Sequence, residues 1–303
     1  MKIAMRITTY WMYLMGLNLI FSCQKQDDYA PNDGKVAYVN FYNAADGLIQ
    51  NGAISGRHRV YFKDTAATGP TPEFSTTDDA RQYPRSVTGS DLAVDYLGVP
   101  NDVTYNVVYW LPLKTGSYHF GYTSVSNDNV LKRTIANNSI DLKSDSFTTQ
   151  YLVESLHSDT SYQILNVPVE RKGVSGKVRI QVLNLSPDLG ALEIFREDSN
   201  GTKIDEGLPA ALASGTYSDY TAIDTAGAQK NLGQLLIKIR KTGSASPLFT
   251  ASVPAVSKSS FIIVVQGFAL QTTRRINSIQ GSTIGFVKVS VAPNLRINLR
   301  RTY

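Results

Sequence analysis

The sequence predicts an all-β chain built as two similar sandwich domains in tandem. Three observations point there. Apolar and polar residues alternate at period two in short runs separated by turn residues, the pattern of half-buried strands. No stretch after the first two dozen residues carries a sustained amphipathic helical period with caps. A strand–turn–strand opening occurs twice, near residue 36 and again near residue 178.

The strands can be taken in order. Lys35–Tyr42, Arg57–Lys63, Val103–Leu111 and Gly116–Val125 alternate in the first half, followed by Phe147–Glu154 and Tyr162–Glu170. Pro168 cannot donate to a ladder, so it marks its strand as an edge or a terminus. Residues 65–90 hold many Pro, Gly, Thr and Asp residues without alternation and read as a long exposed loop, a length usually tied to function or disorder. The second half offers Lys177–Leu183, Leu192–Arg196, Gln234–Arg240, Leu248–Val253, Ser260–Phe268, Gly285–Val291 and Leu295–Arg301, with one short helical turn at Leu208–Ala213.

The repeat sets the organisation. Val36 to Gly47 and Val178 to Asp188 each run as an alternating strand into Asn, two intervening small or apolar positions and Asp. The marked residues are Asn43 and Asp46 in one copy, and Asn184, Ser186, Pro187 and Asp188 in the other, where the spacing is one residue longer. Asn and Asp bend a chain by bonding their own backbone and Pro presets a turn, so a structural role suffices. A second strand follows closely in the later copy and after an insertion in the earlier one. With a polar linker at Arg171–Gly176, the expected division is residues 1–22, 23–34, 35–173 and 174–303.

Residues 1–22 have the layout of an export signal: Lys2 and Arg6, an uncharged and mostly apolar stretch from Ile7 to Phe21, then Ser22. The stretch is too short, and too interrupted by Thr8, Thr9 and Asn18, to span a bilayer. Cys23 is the single cysteine, so it has no internal disulfide partner. Leu19-Ile20-Phe21-Ser22-Cys23 resembles a bacterial lipobox, although Phe21 is bulkier than usual there. That resemblance implies a diacylglyceryl group on Cys23 as the mature N-terminus. Gln24, Lys25, Gln26, Asp27 and Asp28 resemble the acidic tag that sends Bacteroidetes lipoproteins to the outer face of the outer membrane. A solvated tether over residues 23–34 explains the same polar, turn-rich composition.

Asn184-Leu185-Ser186-Pro187-Asp188 after a Val-rich strand, with Ala191–Phe195 following, resembles the opening of the domain of unknown function 4397. The first half keeps only Asn43 and Asp46. The resemblance implies tandem Ig-like or transthyretin-like β-sandwiches in an exported bacterial protein, with no assigned catalytic activity and no functional residues to carry over.

Composition narrows the function classes. Loss of residues 1–22 leaves 28 basic against 25 acidic residues, a net +3, without the concentrated basic face expected of a nucleic-acid binder. His58, His119 and His157 have no metal-ligand spacing, and no metal or cofactor is expected. Lys114-Thr115-Gly116 and Lys241-Thr242-Gly243 match one element of serine β-lactamase sites. The mature chain lacks Ser-x-x-Lys, so both read as turns. Asn127-Asp128-Asn129 lacks the Gly and closing Glu of a calcium loop, and Asp78-Asp79 alone is no site. Tyr105, Tyr109, Trp110, Tyr118 and Tyr122 would make a sugar-stacking surface if exposed, but tyrosine also suits half-buried strands. Thr65 and Thr225 sit in Asp-Thr-Ala triplets resembling O-glycan acceptors of Bacteroidetes. The expectation is a lipid-anchored, non-catalytic adhesion, scaffold or partner-binding protein of the outer membrane. It touches the membrane through its lipid and has a protein or glycan ligand. Rival expectations are glycan capture beside an importer, a fimbrial subunit and a hydrolase.

Overall fold

The computed structural model describes residues 35–64, 81–83, 108, 110–126, 131–155, 158, 162–198, 201–204, 206–228, 233–280 and 283–303. The first half forms β1 (Val36–Asn43), β2 (Arg57–Asp64), β3 (Arg81–Tyr83), β4 (Leu111–Lys114), β5 (Gly116–Val125), β6 (Lys132–Leu142), β7 (Phe147–Glu154) and β8 (Tyr162–Pro168). These make two sheets, ordered β4-β1-β7-β8 and β3-β2-β5-β6. The second half continues with β9 (Lys177–Asn184), β10 (Leu192–Glu197), β11 (Lys203–Ile204), β12 (Thr216–Tyr217), β13 (Thr221–Asp224), β14 (Gln234–Lys241), β15 (Phe249–Pro254) and β16 (Ser260–Gln266). After them come β17 (Thr272–Gln280), β18 (Thr283–Val291) and β19 (Arg296–Arg301).

The second half repeats the first strand for strand. Its sheets run β11-β10-β14-β15 and β12-β9-β16-β19, with β13 also on β9. Thus β9 stands where β1 stands and β16 where β7 stands, and both pairs are parallel (Tyr42↔Tyr151, Leu183↔Val264). β10, β14 and β15 likewise take the places of β2, β5 and β6, and β19 that of β8. The chain is therefore all-β, two copies of one sandwich topology, as the repeated opening predicts. The additions in the second copy are a second short strand, since β12 and β13 together occupy the place of β4, and the hairpin β17–β18, inserted between the counterparts of β7 and β8.

Burial explains the layers. In β1, Ala37, Val39 and Phe41 point into the first core with Phe62, Phe120 and Tyr122 from the facing sheet. In β9 and β16, Ile180, Val182, Phe261 and Ile263 point into the second core with Ile194, Ile237 and Ile239. The opposite faces of the two central sheets meet each other: Tyr42, Tyr151, Val153 and Val167 pack on Leu183, Leu185, Ile262 and Val264. Four sheets are stacked, and the middle two are buried on both faces. That is why Phe261–Val265 is a continuous apolar run rather than an alternating one.

The hairpin returns to the other half of the molecule. Ile276, Val289 and Val291, with Phe268 just before the hairpin, are part of the first core, although most of the second copy builds the second or the seam. The hairpin covers the short helices Asp46–Gln50 and Gly52–Ser55, which lie between β1 and β2. Gln50 fixes the contact reciprocally, donating through Nε2 to the Ala292 carbonyl (3.0 Å) and accepting the Ala292 N–H through Oε1 (2.9 Å). No ladder joins residues before Arg171 to residues after Gly176 among the described residues, yet the cores are shared across that boundary.

Some local expectations differ from the structure. Asp46 starts a helix rather than ending a turn. Leu208–Ala213 is not helical, and Leu212 instead bridges to Leu192. Within the expected loop at residues 65–90, Arg81–Tyr83 is a strand on β2. Val108 and Trp110, within the expected strand Val103–Leu111, are not in a strand, and β4 begins at Leu111. β6 is rich in Asn and Ser and β17 carries an inward Arg274, so neither alternates in the apolar sense that marks a strand in sequence. Pro168 does close a sheet-edge strand, and both Lys-Thr-Gly triplets adjoin strand ends where the chain turns.

Candidate functional site: a polar seam between the sandwiches and the hairpin

The buried polar side chains of this fold converge along seams between its layers. Where the central sheets face each other, Arg300 of β19 is fully buried. Its guanidinium donates from one Nη to the Tyr151 hydroxyl (2.8 Å) and from the other to Asn40 Oδ1 (2.7 Å), and lies over the Tyr42 ring at 4.6 Å. Tyr42 donates to Gln266 Oε1 (2.7 Å) and accepts from Asn298 (3.0 Å). Burial pushes the Tyr42 phenol up to about 12, with Arg300 opposing. Both halves of the chain supply this network, so it fixes their register.

At the root of the hairpin the repeat residues take unequal roles. Asn43 closes its own turn by accepting the Ala45 N–H (2.9 Å), as the sequence predicts. Asn184 does not; its amide donates across the loop to the Gly190 and Leu212 carbonyls (2.8 and 3.1 Å). Asp188 accepts the Ser186 hydroxyl (3.2 Å) and the backbone N–H groups of Ala269 and Leu270 (2.9 and 3.0 Å), just before β17. Asp46 accepts from Asn294 (2.8 Å) and pairs with Arg296 (2.8 Å), just after β18. The two repeat aspartates therefore hold the two ends of the inserted hairpin, and Pro187 sits half-buried beside Asp188 in the β9–β10 turn.

Glu154 lies beside Asp46. It accepts the Gly47 N–H (2.8 Å) and pairs with Arg274 of the hairpin (2.7 Å). Burial raises its carboxyl to about 7 against the pull of Arg274, and burial raises Asp46 against Arg296. A Cβ on Gly47 would stand 2.9 Å from Glu154 Oε1, so any side chain there would have to displace the Glu154 carboxylate. Two convergent carboxylates with raised pKa values are what a hydrolase would present, and structural ion pairs perturb pKa values equally. Here both are almost completely buried, and each faces an arginine. The arrangement clamps the hairpin.

His58 is buried, and its ring nitrogens have no hydrogen-bond partner among the described residues. Burial alone lowers it to about 4. The folded chain then holds fewer protons than the unfolded chain between about pH 6.5 and 4, so His58 removes stability as pH falls through that window. The stability difference between wild type and His58→Phe should be constant above neutrality and fall by about 3 kcal/mol on going to pH 4. Urea unfolding across pH checks this, and a flat difference contradicts it. Effects of Glu154 cancel in the comparison.

The remaining sequence candidates fall as follows. Cys23, the residues 24–28, Thr65, Asp78, Asp79, Tyr105, Tyr109, the residues 127–129 and His157 lie outside the described residues. Thr225 donates its hydroxyl to the Gly176 carbonyl (2.8 Å), tying the turn to the linker. His119 is bonded to Ser139 (2.5 Å) on the neighbouring strand. Tyr118 and Tyr122 are core residues, and Trp110 packs edge-on to Phe147, so these aromatics are packing groups. Among the described residues, no three His, Cys, Asp or Glu side chains cluster to hold a metal. Sequence reasoning missed Arg300, Glu154 and Arg274. The signal for Arg274 was a charged residue at an inward position beside Ile276.

No protein-family model and no curated protein matches the chain. Among solved structures it is similar to one described as "a putative cell adhesion protein" from Bacteroides fragilis NCTC 9343. The identity is 10% over 88% of each chain and the TM-score is 0.16, a likeness too slight to carry an argument.

Proposed function

We propose that the chain is a non-catalytic adhesion or partner-binding scaffold, held by a lipid on Cys23 at the outer membrane and displayed outward, built of tandem domains of the 4397 type. The observation that carries this reading is the joining of both sandwiches into one stack with opposite poles. The segment 23–34 meets the fold at Lys35, where β1 begins; the repeat motifs and the hairpin root lie where β1 and β9 end, about 26 Å further along for an eight-residue strand. Such a body holds its far pole away from a membrane. The sealed carboxylates and buried aromatics favour binding through loops over hydrolysis or sugar stacking.

The test is intact-mass analysis of the wild-type protein with fractionation of Cys23→Ser. The mature chain should begin at Cys23 with a diacylglyceryl mass, whole-cell protease should reach it, and Cys23→Ser should leave the membrane fraction. A mature N-terminus elsewhere contradicts the anchor, and protection in intact cells contradicts outward display.

A further inference from the structure

We propose that the pole where the tether arrives is a docking surface for an anionic phospholipid bilayer. The ladders bring several strand ends together there. Asp145 N–H bonds the Val36 carbonyl and Thr115 N–H the Lys35 carbonyl (2.8 and 3.2 Å), which places the turn before β7 and the β4–β5 turn beside the start of β1. Lys258 N–H bonds the Lys177 carbonyl (2.9 Å), and Ser260 N–H bonds the Tyr303 carbonyl (3.1 Å). A Cβ on Gly173 would meet Lys258 Cβ at 2.7 Å and the Tyr303 ring at 3.0 Å. The linker, the loop before β16 and the C-terminal residues therefore form one surface.

Its chemistry is basic and apolar together. Lys35, Lys114, Lys143, Lys172 and Lys258 are all exposed at this end. Val174, Val256 and Tyr303 are three of the six exposed large apolar side chains among the described residues. Acids are present but engaged locally: Glu170 accepts from Arg179 (2.8 Å), Asp224 caps the Ala226 N–H (2.8 Å), Asp141 accepts from Ser117, and Asp145 from Ser144 (3.2 Å). Lys143, Lys172 and Lys258 have no ion-pair partner among the described residues.

Cationic side chains around shallow apolar ones suit a headgroup layer, where ammonium groups meet phosphates and apolar tips enter the interface. Twelve residues, 23–34, separate the fold from the lipid-bearing position. Such a segment spans about 40 Å at full extension and about 20 Å as a flexible coil. This pole is thus the part of the fold nearest the bilayer, and docking there points the hairpin root outward. The geometry rests on the anchor reading above, but the surface can be tested without it.

The experiment uses the mature chain, residues 23–303 with Cys23→Ser and so without lipid or export segment, with vesicles of phosphatidylcholine alone or mixed with phosphatidylglycerol. Co-sedimentation is expected with the mixed vesicles at low salt, little with phosphatidylcholine, and loss at high salt. Lys143→Glu/Lys172→Glu/Lys258→Glu should weaken binding by at least about tenfold. Lys241→Glu/Arg275→Glu/Lys288→Glu, equal in charge change but away from this pole, should leave it nearly intact. Circular dichroism verifies that both variants are folded, and Val174→Ser/Val256→Ser, which leaves the charge unchanged, should also weaken binding. Absence of binding to anionic vesicles, equal loss in both charge variants, or tighter binding to duplex DNA than to vesicles would overturn the proposal. Failure of lipidation in the mass analysis would sink the anchor without touching this result.

Discussion

Arg300→Ala is expected to lower the unfolding free energy by about 3–5 kcal/mol. The substitution removes a fully buried side chain and opens a cavity between the two central sheets. It also takes away the donors to the Tyr151 hydroxyl and Asn40 Oδ1, which lie on neighbouring strands of one sheet and face Arg300 across the seam. Arg300→Met keeps the stem packing and removes a buried charge while taking one donor from each of the same two groups. Its loss should be smaller, about 1–2 kcal/mol. Urea unfolding monitored by circular dichroism orders the three proteins, and no loss for Met would show that the guanidinium network is irrelevant.

Arg274→Ala should cost a similar amount, about 3–5 kcal/mol at pH 8, because it leaves the buried Glu154 without its compensating positive charge. The damage should be local. Amide exchange should accelerate in β17, β18 and the short helices under them, with β9 and β16 unaffected. The defect should shrink at pH 5. Burial already raises the Glu154 carboxyl to about 7, and loss of Arg274 raises it further, so the group takes up a proton and sheds its uncompensated charge. Glu154→Gln in the Arg274→Ala background should recover stability at pH 8 for the same reason. A defect that grew on acidification would contradict the clamp.

The fold class was legible because half-buried strands announce themselves. β2, β5 and β14 alternate and were placed within a residue or so, and the repeated strand–Asn–Asp opening identified two copies whose topology matches strand for strand. The stacking was less legible. Tyr42 and Val264 read as ordinary strand residues, and only three-dimensional pairing reveals that their faces meet. The run Phe261–Val265 was the available clue, since five successive apolar residues imply burial on both faces. β6 and β17 escaped notice because Asn, Ser and Arg occupy their ladders.

The polar seam was legible only in part. Asn43, Asp46, Asn184 and Asp188 were singled out as turn formers, which holds for Asn43. The aspartates act at long range, on residues more than eighty and more than two hundred positions away, and local turn chemistry cannot reveal that. Glu154, Arg274 and Arg300 had no motif. A buried charge on a strand looks in sequence like an outward one that breaks the alternation.

Differential scanning calorimetry of the wild type beside Arg300→Ala tests the central claim, that the two sandwiches and the hairpin form one cooperative body. A single transition is predicted for the wild type, with calorimetric and van't Hoff enthalpies equal. Arg300→Ala should melt in two steps, or broaden as the halves uncouple. Two separated transitions in the wild type, unchanged by Arg300→Ala, would contradict the account.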